Sequence, residues 1–259
     1  MRLAVVGHVE WVQFARVERM PASGEIVHAT EVWEEPAGGG AVVAAQLARL
    51  GAEVEFHTAL GDDALGHLAA DRFDELGIDV QAQWREEPTR RAFTHVDAAG
   101  ERTITVLGRK LLPRGPLPLD LDGCFFVAGD AAALRSAREA GFLAATAREQ
   151  ATLRKAAVPL DLLVGSENDP GERAGEGIEA ALVVRTDGAR GGTANGRRYE
   201  PAPLPGPVSD AYGCGDSFAA ALFLALVRGD PLEEALALAA RAGAAVLTGR
   251  GPYEAQISG

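Results

Sequence analysis

Apolar runs alternate with amphipathic or small-residue segments along most of the chain. Short runs such as Leu3–Gly7 and Cys124–Ala128 show no polar alternation, which is typical of strands buried on both faces of a sheet. Segments such as Gly38–Gly51 combine helical spacing with a glycine at the end. The pattern predicts a mostly parallel sheet with helices on both faces. The other predicted strands are Glu53–Leu60, Phe142–Ala147, Leu160–Val164 and Ala181–Thr186, and the other predicted helices are Asp63–Gly77, Ala131–Ala140, Asp216–Arg228 and Pro231–Leu247.

Two segments break the alternation of strand and helix. Residues 11–35 and 78–107 have strand-like patterns with no helix between them. Within the second, the stretch AFTHVDAAGERTITV alternates around a turn at Gly100, which indicates a hairpin. Such excursions form either an extension of the main sheet or a lid over a site. We expect a lid, because both segments flank the glycine cluster that begins at Gly38.

Length and composition suit one large domain over residues 1–259. The chain is 47% hydrophobic, which allows a full core and excludes a disordered protein. Its formal net charge of -12 argues against nucleic acid or an anionic membrane as a partner. Cys124 and Cys214, the two cysteines, support neither a disulfide framework nor a thiolate metal site. Since no signal peptide and no membrane-spanning apolar run is seen, the sequence predicts a cytoplasmic protein.

The stretch DAYGCGDSFAAALFLALV, residues 210–227, places three small residues and an acid before a long apolar helix. The first turn of such a helix carries unpaired N–H groups and the positive end of the helix dipole. Because Gly213 and Gly215 have no side chains, a phosphate can approach these donors closely. Asp216 is then placed to accept a proton from an attacking hydroxyl. The alternative is that Asp216 only caps the helix and stabilises its dipole.

The same stretch resembles the C-terminal signature of the ribokinase-like carbohydrate kinases, also called the phosphofructokinase-B (PfkB) family. The resemblance implies that the backbone amides of the three small residues form an anion hole. It also implies that Asp216 is the base that activates the substrate hydroxyl, and it groups Asp210 with the nucleotide-binding residues. The signature, Asp-Thr/Ala-x-Gly-Ala/Cys-Gly-Asp, is matched by Asp210, Ala211, Gly213, Cys214, Gly215 and Asp216.

The N-terminal part resembles the same family, except at two polar substrate contacts. In PAGGGAVVAAQLARLG, Gly38 and Gly39 match a glycine pair, while Val42 occupies the position of an asparagine that touches substrate hydroxyls. In the opening VGHVEWVQFARV, Glu10 lies within the family's Gly-Asn-x-Asn-x-Asp pattern, and Val12 replaces its sugar-binding aspartate. The resemblance implies that these five residues belong to the substrate side of the site. The phosphoryl-transfer end is thus retained, whereas the substrate end is changed.

A glycine-rich loop resembles the part of the family that lies near the phosphates of ATP. The stretch VVRTDGARGG matches a Thr-x-Gly-x-x-Gly pattern through Thr186, Gly188 and Gly191. An ordinary hairpin turn is the alternative, since glycine favours both.

The stretch GSENDPGE stands where the family carries Asn-x-x-Glu, a motif linked to Mg²⁺ and phosphate. Ser166 takes the place of the asparagine and Asp169 that of the acid, with Glu167 also within reach. Magnesium prefers carboxylate oxygens and keeps several waters, so we expect Asp169 and Glu167 near the metal. A solvated loop before a helix is the alternative, and it is the reading we prefer for Glu172.

The C-terminal stretch AARAGAAVLTGRGPY resembles the family segment that lines the binding site of the adenine ring. Ala240, Gly243 and Ala244 are small enough for a base to lie against the helix. Tight packing of the helix on its neighbours would call for the same small residues.

Several other residues allow two readings. Arg90 and Arg91 begin a lid strand, where alternation sends only one of them inward, and we assign Arg91 to the substrate. Trp11 and Trp33 either stack on a substrate ring or fill the core of the lid itself. Arg148 follows a strand end, where open α/β sheets bind ligands. It contacts a phosphate or carboxylate, or it forms a surface salt bridge.

Together, these features predict a ribokinase-like three-layer α/β fold with a small β-sheet lid. The predicted activity is ATP-dependent phosphorylation, with Mg²⁺, of a hydroxyl on a sugar or sugar-containing small molecule. A nucleoside kinase is one alternative, favoured by the lid tryptophans. An inactive ligand-binding member of the family is another, favoured by Val12 and Val42 and opposed by the retained Asp216. Pairing of two chains through exposed lid strands is a further prediction.

Overall fold

The computed structural model describes residues 1–173 and 177–259. Within these ranges the chain forms two β-sheets and six α-helices. The strands are β1 (Arg2–Val6), β2 (Glu10–Arg16), β3 (Glu31–Ala37), β4 (Glu53–Gly61), β5 (Asp79–Arg85), β6 (Arg91–Val96), β7 (Arg102–Leu107), β8 (Gly123–Phe126), β9 (Leu143–Thr146), β10 (Leu160–Ser166), β11 (Ala180–Thr186), β12 (Gly192–Ala194) and β13 (Arg197–Tyr199). The α-helices are α1 (Gly39–Arg49), α2 (Ala64–Glu75), α3 (Ala131–Ala137), α4 (Gln150–Ala156), α5 (Cys214–Arg228) and α6 (Leu232–Val246).

The large sheet has nine strands in the order β13-β12-β11-β10-β9-β8-β1-β4-β5. From β11 to β5 all neighbouring strands are parallel, and the antiparallel β12 and β13 form one edge. Alternation along β1 sends Leu3 and Val5 into one buried apolar cluster and Ala4 and Val6 into another. Both faces of the sheet are therefore covered, which explains the uniformly apolar strands and confirms the predicted architecture.

The small sheet has the order β3-β2-β6-β7, with β2 parallel to β6 and the other pairs antiparallel. It packs against the segment that leads into α5. Arg16 donates from Nη1 to the Ser209 carbonyl at 2.9 Å, and the Ala211 amide donates to the Gly100 carbonyl at 3.0 Å. The predicted lid strands thus form a sheet of their own. This sheet contacts the N-terminal end of α5 and the segment that leads into it, residues 209–216, which we call the α5 mouth.

The second lid segment differs from the prediction at its start. We expected residues 78–107 to belong to the lid, but β5 pairs in parallel with β4, from Glu55 opposite Asp79 to Gly61 opposite Arg85. The reason is connectivity: α2 returns the chain for a parallel strand, so β4, α2 and β5 form a β-α-β unit. As the edge strand, β5 is partly exposed and alternates like a lid strand. The contribution to the lid begins with β6.

The carboxyl ends of several parallel strands meet at one edge of the large sheet. His8 follows β1, Arg148 follows β9, and Asp169 follows β10 at this edge, close to Thr186 at the end of β11. Open α/β sheets bind ligands at this edge. None of the helices in the described ranges is of a length and apolarity that would let it cross a membrane.

Candidate active site

The N-terminus of α5 opens onto free space. Gly213 occupies the N-cap position with φ 81°, a left-handed conformation that favours glycine. A Cβ atom on Gly213 would lie 3.0 Å from side-chain carbons of Val42 and Pro252. By contrast, a Cβ atom on Gly215 would meet nothing within 4 Å. The first-turn amides, including that of Cys214, are therefore accessible to an anion, as a phosphate site at a helix N-terminus requires.

Asp216 lies in the first turn of α5 and faces the glycine segment at the start of α1. A Cβ atom on Gly39 would lie 2.9 Å from Oδ1 of Asp216, so only glycine leaves room for the carboxylate. Burial raises the pKa of Asp216 to about 6, the negative charge of Glu172 acts in the same direction, and Arg102 and Arg148 act against it. A carboxylate with such a pKa is well matched to accept a proton near neutral pH.

The capping alternative for Asp216 lacks its main contact. At genuine caps in this chain the carboxylate accepts a backbone hydrogen bond, as Asp63 does from the Gly66 amide at 2.8 Å. Among the described residues, no hydrogen bond joins the Asp216 carboxylate to the amides of α5. The geometry thus favours a chemical role over a capping role.

A buried polar cluster lies on the substrate side, beside Gly38. Glu10 approaches His8 through Oε1, at 3.4 Å from Nε2, and Arg90 through Oε2, at 3.4 Å from Nε. A Cβ atom on Gly38 would lie 3.2 Å from Cγ of Glu10, which places the cluster next to the glycines that adjoin Asp216. Burial lowers the pKa of His8, which keeps the imidazole neutral. Burial acts to raise the pKa of Glu10, but the hydrogen bond with His8 and nearby positive charge lower it overall.

This cluster has unused hydrogen-bonding groups. In residues 1–173 and 177–259, the atoms Nδ1 of His8, Oε2 of Glu10, and Nε and Nη1 of Arg90 are buried without a hydrogen-bond partner. Buried polar atoms are normally paired, and an unpaired one costs about 1–3 kcal/mol. A polar ligand that reached the cluster would satisfy both its donors and its acceptors.

The two valines at the family's polar positions are packing residues. Val12 and Val42 are completely buried. Val12 shares the inner face of β2 with Glu10. Val42 packs next to Gly213 at the N-terminus of α5. Of the predicted substrate residues, Glu10, Gly38 and Gly39 lie together near Asp216, while the valines supply apolar support around them.

Arg90, and not Arg91, lies beside Glu10. β6 runs parallel to β2 with Arg91 opposite Trp11, and the side chain of Arg91 is exposed. The side chain of Arg90 is only 12% exposed and points to Glu10. Alternation correctly predicts that one arginine faces inward, but the structure brings Arg90 to the site in place of the residue we assigned.

The lid tryptophans make contacts within the lid. Trp11 donates from Nε1 to Glu34 at 2.6 Å. The ring of Trp33 stacks on Phe14 with centroids 4.8 Å apart. These contacts favour the reading in which the tryptophans fill the core of the lid.

The loop from Thr186 to Gly191 is a tight turn beside the end of β10. Gly188 has φ 56° and Gly191 has φ 78°, and a Cβ atom on Gly191 would collide with the Tyr199 carbonyl. The Asp187 amide donates to the Gly191 carbonyl at 2.7 Å, which closes the loop. The turn itself thus requires its glycines, and a phosphate role for Thr186, Gly188 and Gly191 stays a prediction.

The small residues of α6 pack against α5. A Cβ atom on Gly243 would lie 3.1 Å from the Cys214 carbonyl and 3.3 Å from Cβ of Phe218. Ala240 and Ala244 are almost fully buried. Close helix packing therefore accounts for Gly243, and adenine contact by these residues stays a prediction.

Asp210 holds together the backbone that shapes the anion site. It is completely buried and accepts hydrogen bonds from the amides of Tyr212, at 2.9 Å, and Gly251, at 3.0 Å. Burial raises the pKa of Asp210, and these hydrogen bonds act against the rise. The residue fixes the turn before α5 against the C-terminal segment, and a direct contact with nucleotide stays a prediction.

The acids expected near Mg²⁺ are already paired with arginines. Asp169 accepts from Arg148 at 2.6 Å through Oδ2 and from the Gly171 amide at 2.8 Å through Oδ1. Glu167 lies 3.6 Å from Nε of Arg185. In the described part of the chain, no group of three or more His, Cys, Asp or Glu side chains is arranged to hold a metal ion. Because Mg²⁺ often binds one or two carboxylates together with substrate phosphates, a direct contact of Asp169 or Glu167 with Mg²⁺ stays a prediction.

One residue near the site, Arg102, was not predicted from the sequence. Arg102, at the start of β7, donates from Nη1 to the Ala211 carbonyl at 3.1 Å and lowers the pKa of Asp216 by its charge. Strand alternation offered no reason to single it out, because every residue of β7 is exposed. Only the docking of the lid on the α5 mouth brings its charge to the site.

Comparison with known proteins agrees with this geometry. A family model described as "pfkB family carbohydrate kinase" matches residues 1–158 and 130–258. The ribokinase of Staphylococcus aureus is 33% identical over 110 residues, which is 41% of this chain and 36% of that protein. The ATP-dependent ribose-1-phosphate kinase of Halopiger xanaduensis is 26% identical over 273 aligned positions, 94% of this chain and 91% of the other.

A solved structure shows the same fold. The ribokinase of Arabidopsis thaliana, complexed with ribose and ATP, superimposes with a TM-score of 0.77 at 22% identity, covering 99% of this chain and 95% of that chain. The two chains therefore share one fold. The chain belongs to the pfkB family of carbohydrate kinases, whose model matches it almost from end to end. The expected ribokinase-like fold is confirmed.

Proposed function

We propose that this enzyme transfers the γ-phosphoryl group of ATP to a hydroxyl of a sugar or sugar-containing small molecule. The substrate oxygen bonds to the γ-phosphorus while the bond from that phosphorus to the β,γ-bridging oxygen breaks. ADP leaves, and the proton of the hydroxyl passes to Asp216. The amides of Gly213, Cys214 and Gly215 hold the charge of the transferring group.

One observation carries this proposal. The carboxylate of Asp216 lies between the glycines of the substrate side, at Gly39, and the open N-terminus of α5. A base in that position can reach a hydroxyl that faces a phosphoryl group held by the helix amides.

The polar cluster beside Gly38 supports a substrate with hydroxyl groups. A hydroxyl both donates and accepts, so it can donate to Oε2 of Glu10 and accept from Arg90 at the same time. A phosphate or carboxylate only accepts, and Glu10 would repel it. The unpaired atoms of this cluster therefore favour an uncharged, hydroxyl-bearing part of the substrate at this position.

The nucleotide is assigned to the side of α5 away from the lid sheet. The loop Thr186–Gly191 and the small residues Ala240 and Ala244 are the candidates for contact with ATP. Mg²⁺ is expected to arrive on the phosphates of ATP, since Asp169 and Glu167 are engaged by arginines.

The position of the lid sheet supports a role in excluding water from the site. The small sheet already touches the α5 mouth through Arg16 and Arg102. Closure over the substrate would limit hydrolysis of ATP. Exposed apolar side chains on this sheet, Val32, Ile104 and Val106, support pairing of two lids in a homodimer. A single domain over residues 1–259 and a cytoplasmic location stay predictions.

The test is ADP formation measured against a panel of acceptors. The panel contains ribose, fructose 6-phosphate, a deoxy sugar acid and several nucleosides, each with a no-acceptor control. We expect ADP to form only when a hydroxyl-bearing acceptor is present. Acceptor-independent ADP formation would mean an ATPase. Tight binding of a sugar without any ADP formation would support the inactive ligand-binding alternative.

A further inference from the structure

Arg148 lies at the carboxyl end of the large sheet, in a single 3-10 turn, Ala147–Glu149, that follows β9. Its Nη2 atom is 2.6 Å from Oδ2 of Asp169 and 2.9 Å from Oε1 of Glu172. The side chain of Arg148 is 51% exposed, whereas that of Glu172 is 16% exposed. Two carboxylates on the loop after β10 therefore fix one guanidinium at the surface of the site.

This guanidinium shares the carboxyl edge of the large sheet with the expected phosphate loop, and its charge acts on the base. On one side, the loop that carries Asp169 is joined to the end of β11 by a hydrogen bond of 2.9 Å from the Glu167 amide to the Thr186 carbonyl. On the other side, the charges of Arg148 and Glu172 both act on Asp216. A positive charge at this edge of the sheet is suited to a phosphoryl group that passes from the strand ends to a hydroxyl at Asp216.

The pairing leaves donors free for such a group. A guanidinium offers five N–H donors in a planar fork that matches phosphate geometry. Both ion pairs of Arg148 use Nη2. Within residues 1–173 and 177–259 no partner is found for Nε or Nη1 of Arg148. The side chain is thus held in place and still able to bind an anion.

We propose that Arg148 is a catalytic residue whose guanidinium contacts the γ-phosphoryl group of ATP. Asp169 and Glu172 are its positioning residues, and they serve this purpose in place of binding Mg²⁺ directly. The inference rests on the proposed kinase function and adds to it a residue that stabilises the charge of the transferring group.

The first test separates contact with the γ-phosphate from general effects on the site. The affinities of ADP and of the non-hydrolysable ATP analogue AMP-PNP are measured by calorimetry for the wild type and for Arg148→Met. We expect Arg148→Met to weaken AMP-PNP binding about tenfold or more, as the loss of a charge-assisted contact of about 1.4 kcal/mol implies, and to leave ADP binding nearly unchanged. Turnover should fall by about two orders of magnitude or more.

A matched control exists at the other end of β10. Arg138 forms an ion pair of 2.7 Å with Asp161, near the start of that strand and away from the site. Arg138→Met should change neither nucleotide affinity nor turnover. An equal loss of ADP and AMP-PNP binding in Arg148→Met, or unchanged turnover, would overturn the assignment of Arg148.

The second test concerns Mg²⁺. If Asp169 only positions Arg148, Asp169→Asn lowers turnover but leaves the Mg²⁺ concentration for half-maximal turnover unchanged. If Asp169 is a metal ligand, that concentration rises about tenfold or more, and the positioning role is wrong. The binding test does not depend on knowing the acceptor. A wild type that prefers AMP-PNP to ADP through Arg148, but phosphorylates nothing in the panel, would contradict the proposed acceptor chemistry and still support the γ-phosphate contact.

Discussion

The replacement Asp216→Asn should make the folded protein more stable at pH 8 while it removes most of the activity. The carboxylate is held in a partly buried position against Gly39, without a hydrogen bond to the helix amides among the described residues. Its folded-state pKa of about 6 lies above the ordinary value of 3.8, first because of burial and then because of Glu172. Folding therefore favours the protonated form, and ionisation of Asp216 costs stability.

The size of this effect follows from the two pKa values. Each unit of difference corresponds to about 1.36 kcal/mol, so the ionised carboxylate costs about 3 kcal/mol at pH 8. The cost appears as the pH rises from 3.8 towards 6, and at pH 5 it is about half as large. Asparagine has a similar shape and does not ionise. We expect Asp216→Asn to raise the free energy of unfolding by up to about 3 kcal/mol at pH 8, and by about half of that at pH 5.

The assay is urea unfolding at both pH values, combined with turnover and nucleotide binding on the same samples. Loss of a general base lowers turnover by about two to four orders of magnitude, whereas nucleotide binding should survive. Asp63→Ala is the matched control, because Asp63 caps α2 with a hydrogen bond of 2.8 Å to the Gly66 amide. The Asp63 carboxylate also accepts from the amide and the hydroxyl of Thr89, each at 2.8 Å. Its loss should therefore lower the free energy of unfolding by more than the roughly 1 kcal/mol of a cap alone.

The capping alternative predicts the opposite sign for Asp216. If the carboxylate only stabilised the dipole of α5, Asp216→Asn would lose about 0.3–1 kcal/mol at pH 8. Lower stability together with near-normal turnover would refute the reasoning and leave Asp216 as a stabiliser of the helix.

Three further predictions concern the two ends of the site. Gly215→Val should leave the free energy of unfolding nearly unchanged, because a Cβ atom there meets nothing within 4 Å, but it should lower turnover about a hundredfold by crowding the anion site. A collapsed thermal melt with normal activity per folded molecule would instead mean that Gly215 serves packing. Glu172→Gln removes a negative charge that raises the pKa of Asp216, so the acidic limb of the pH–rate profile should move to lower pH; a profile that stays in place or moves up would contradict this. Ribose and fructose 6-phosphate should be weak acceptors, since the buried Val12 and Val42 offer no polar group where the family resemblance places an aspartate and an asparagine. Hydroxyls that Glu10 and Arg90 do not reach would then stay unpaired at about 1–3 kcal/mol each. Ribose turning over best, with sub-millimolar affinity, would show that Glu10 and Arg90 have taken over those contacts.

The main sheet could be predicted because its signals are local. Apolar runs such as Leu3–Gly7 and Leu160–Val164 are buried on both faces, and that burial is visible in the sequence itself. β5 was misplaced for the opposite reason. As an edge strand it is exposed on one side, so its pattern does not distinguish the large sheet from the lid. The short helix α4 was not predicted, because its seven residues make only about two helical turns, too few for a clear periodic pattern.

The phosphoryl end of the site was predictable because its residues are contiguous. Gly213 to Asp216 form one helix mouth, and their spacing together with the family resemblance predicts an anion site. The substrate end depends on contacts between distant segments. Arg90 reaches Glu10 only through the parallel register of β2 and β6, and Arg102 reaches the α5 mouth only because the lid docks there. Register and docking have no local signature, which is why Arg91 was chosen and Arg102 was missed.

The measurement that tests the kinase assignment most directly is the transfer of label from ATP carrying a radioactive γ-phosphate to an acceptor. Wild type and Asp216→Asn are compared with the best acceptor of the panel, and both must bind nucleotide equally. The account predicts a labelled sugar product that forms with the wild type and falls by about two orders of magnitude or more with the variant. Label that appears only as inorganic phosphate, or a product that forms equally well with Asp216→Asn, would contradict it.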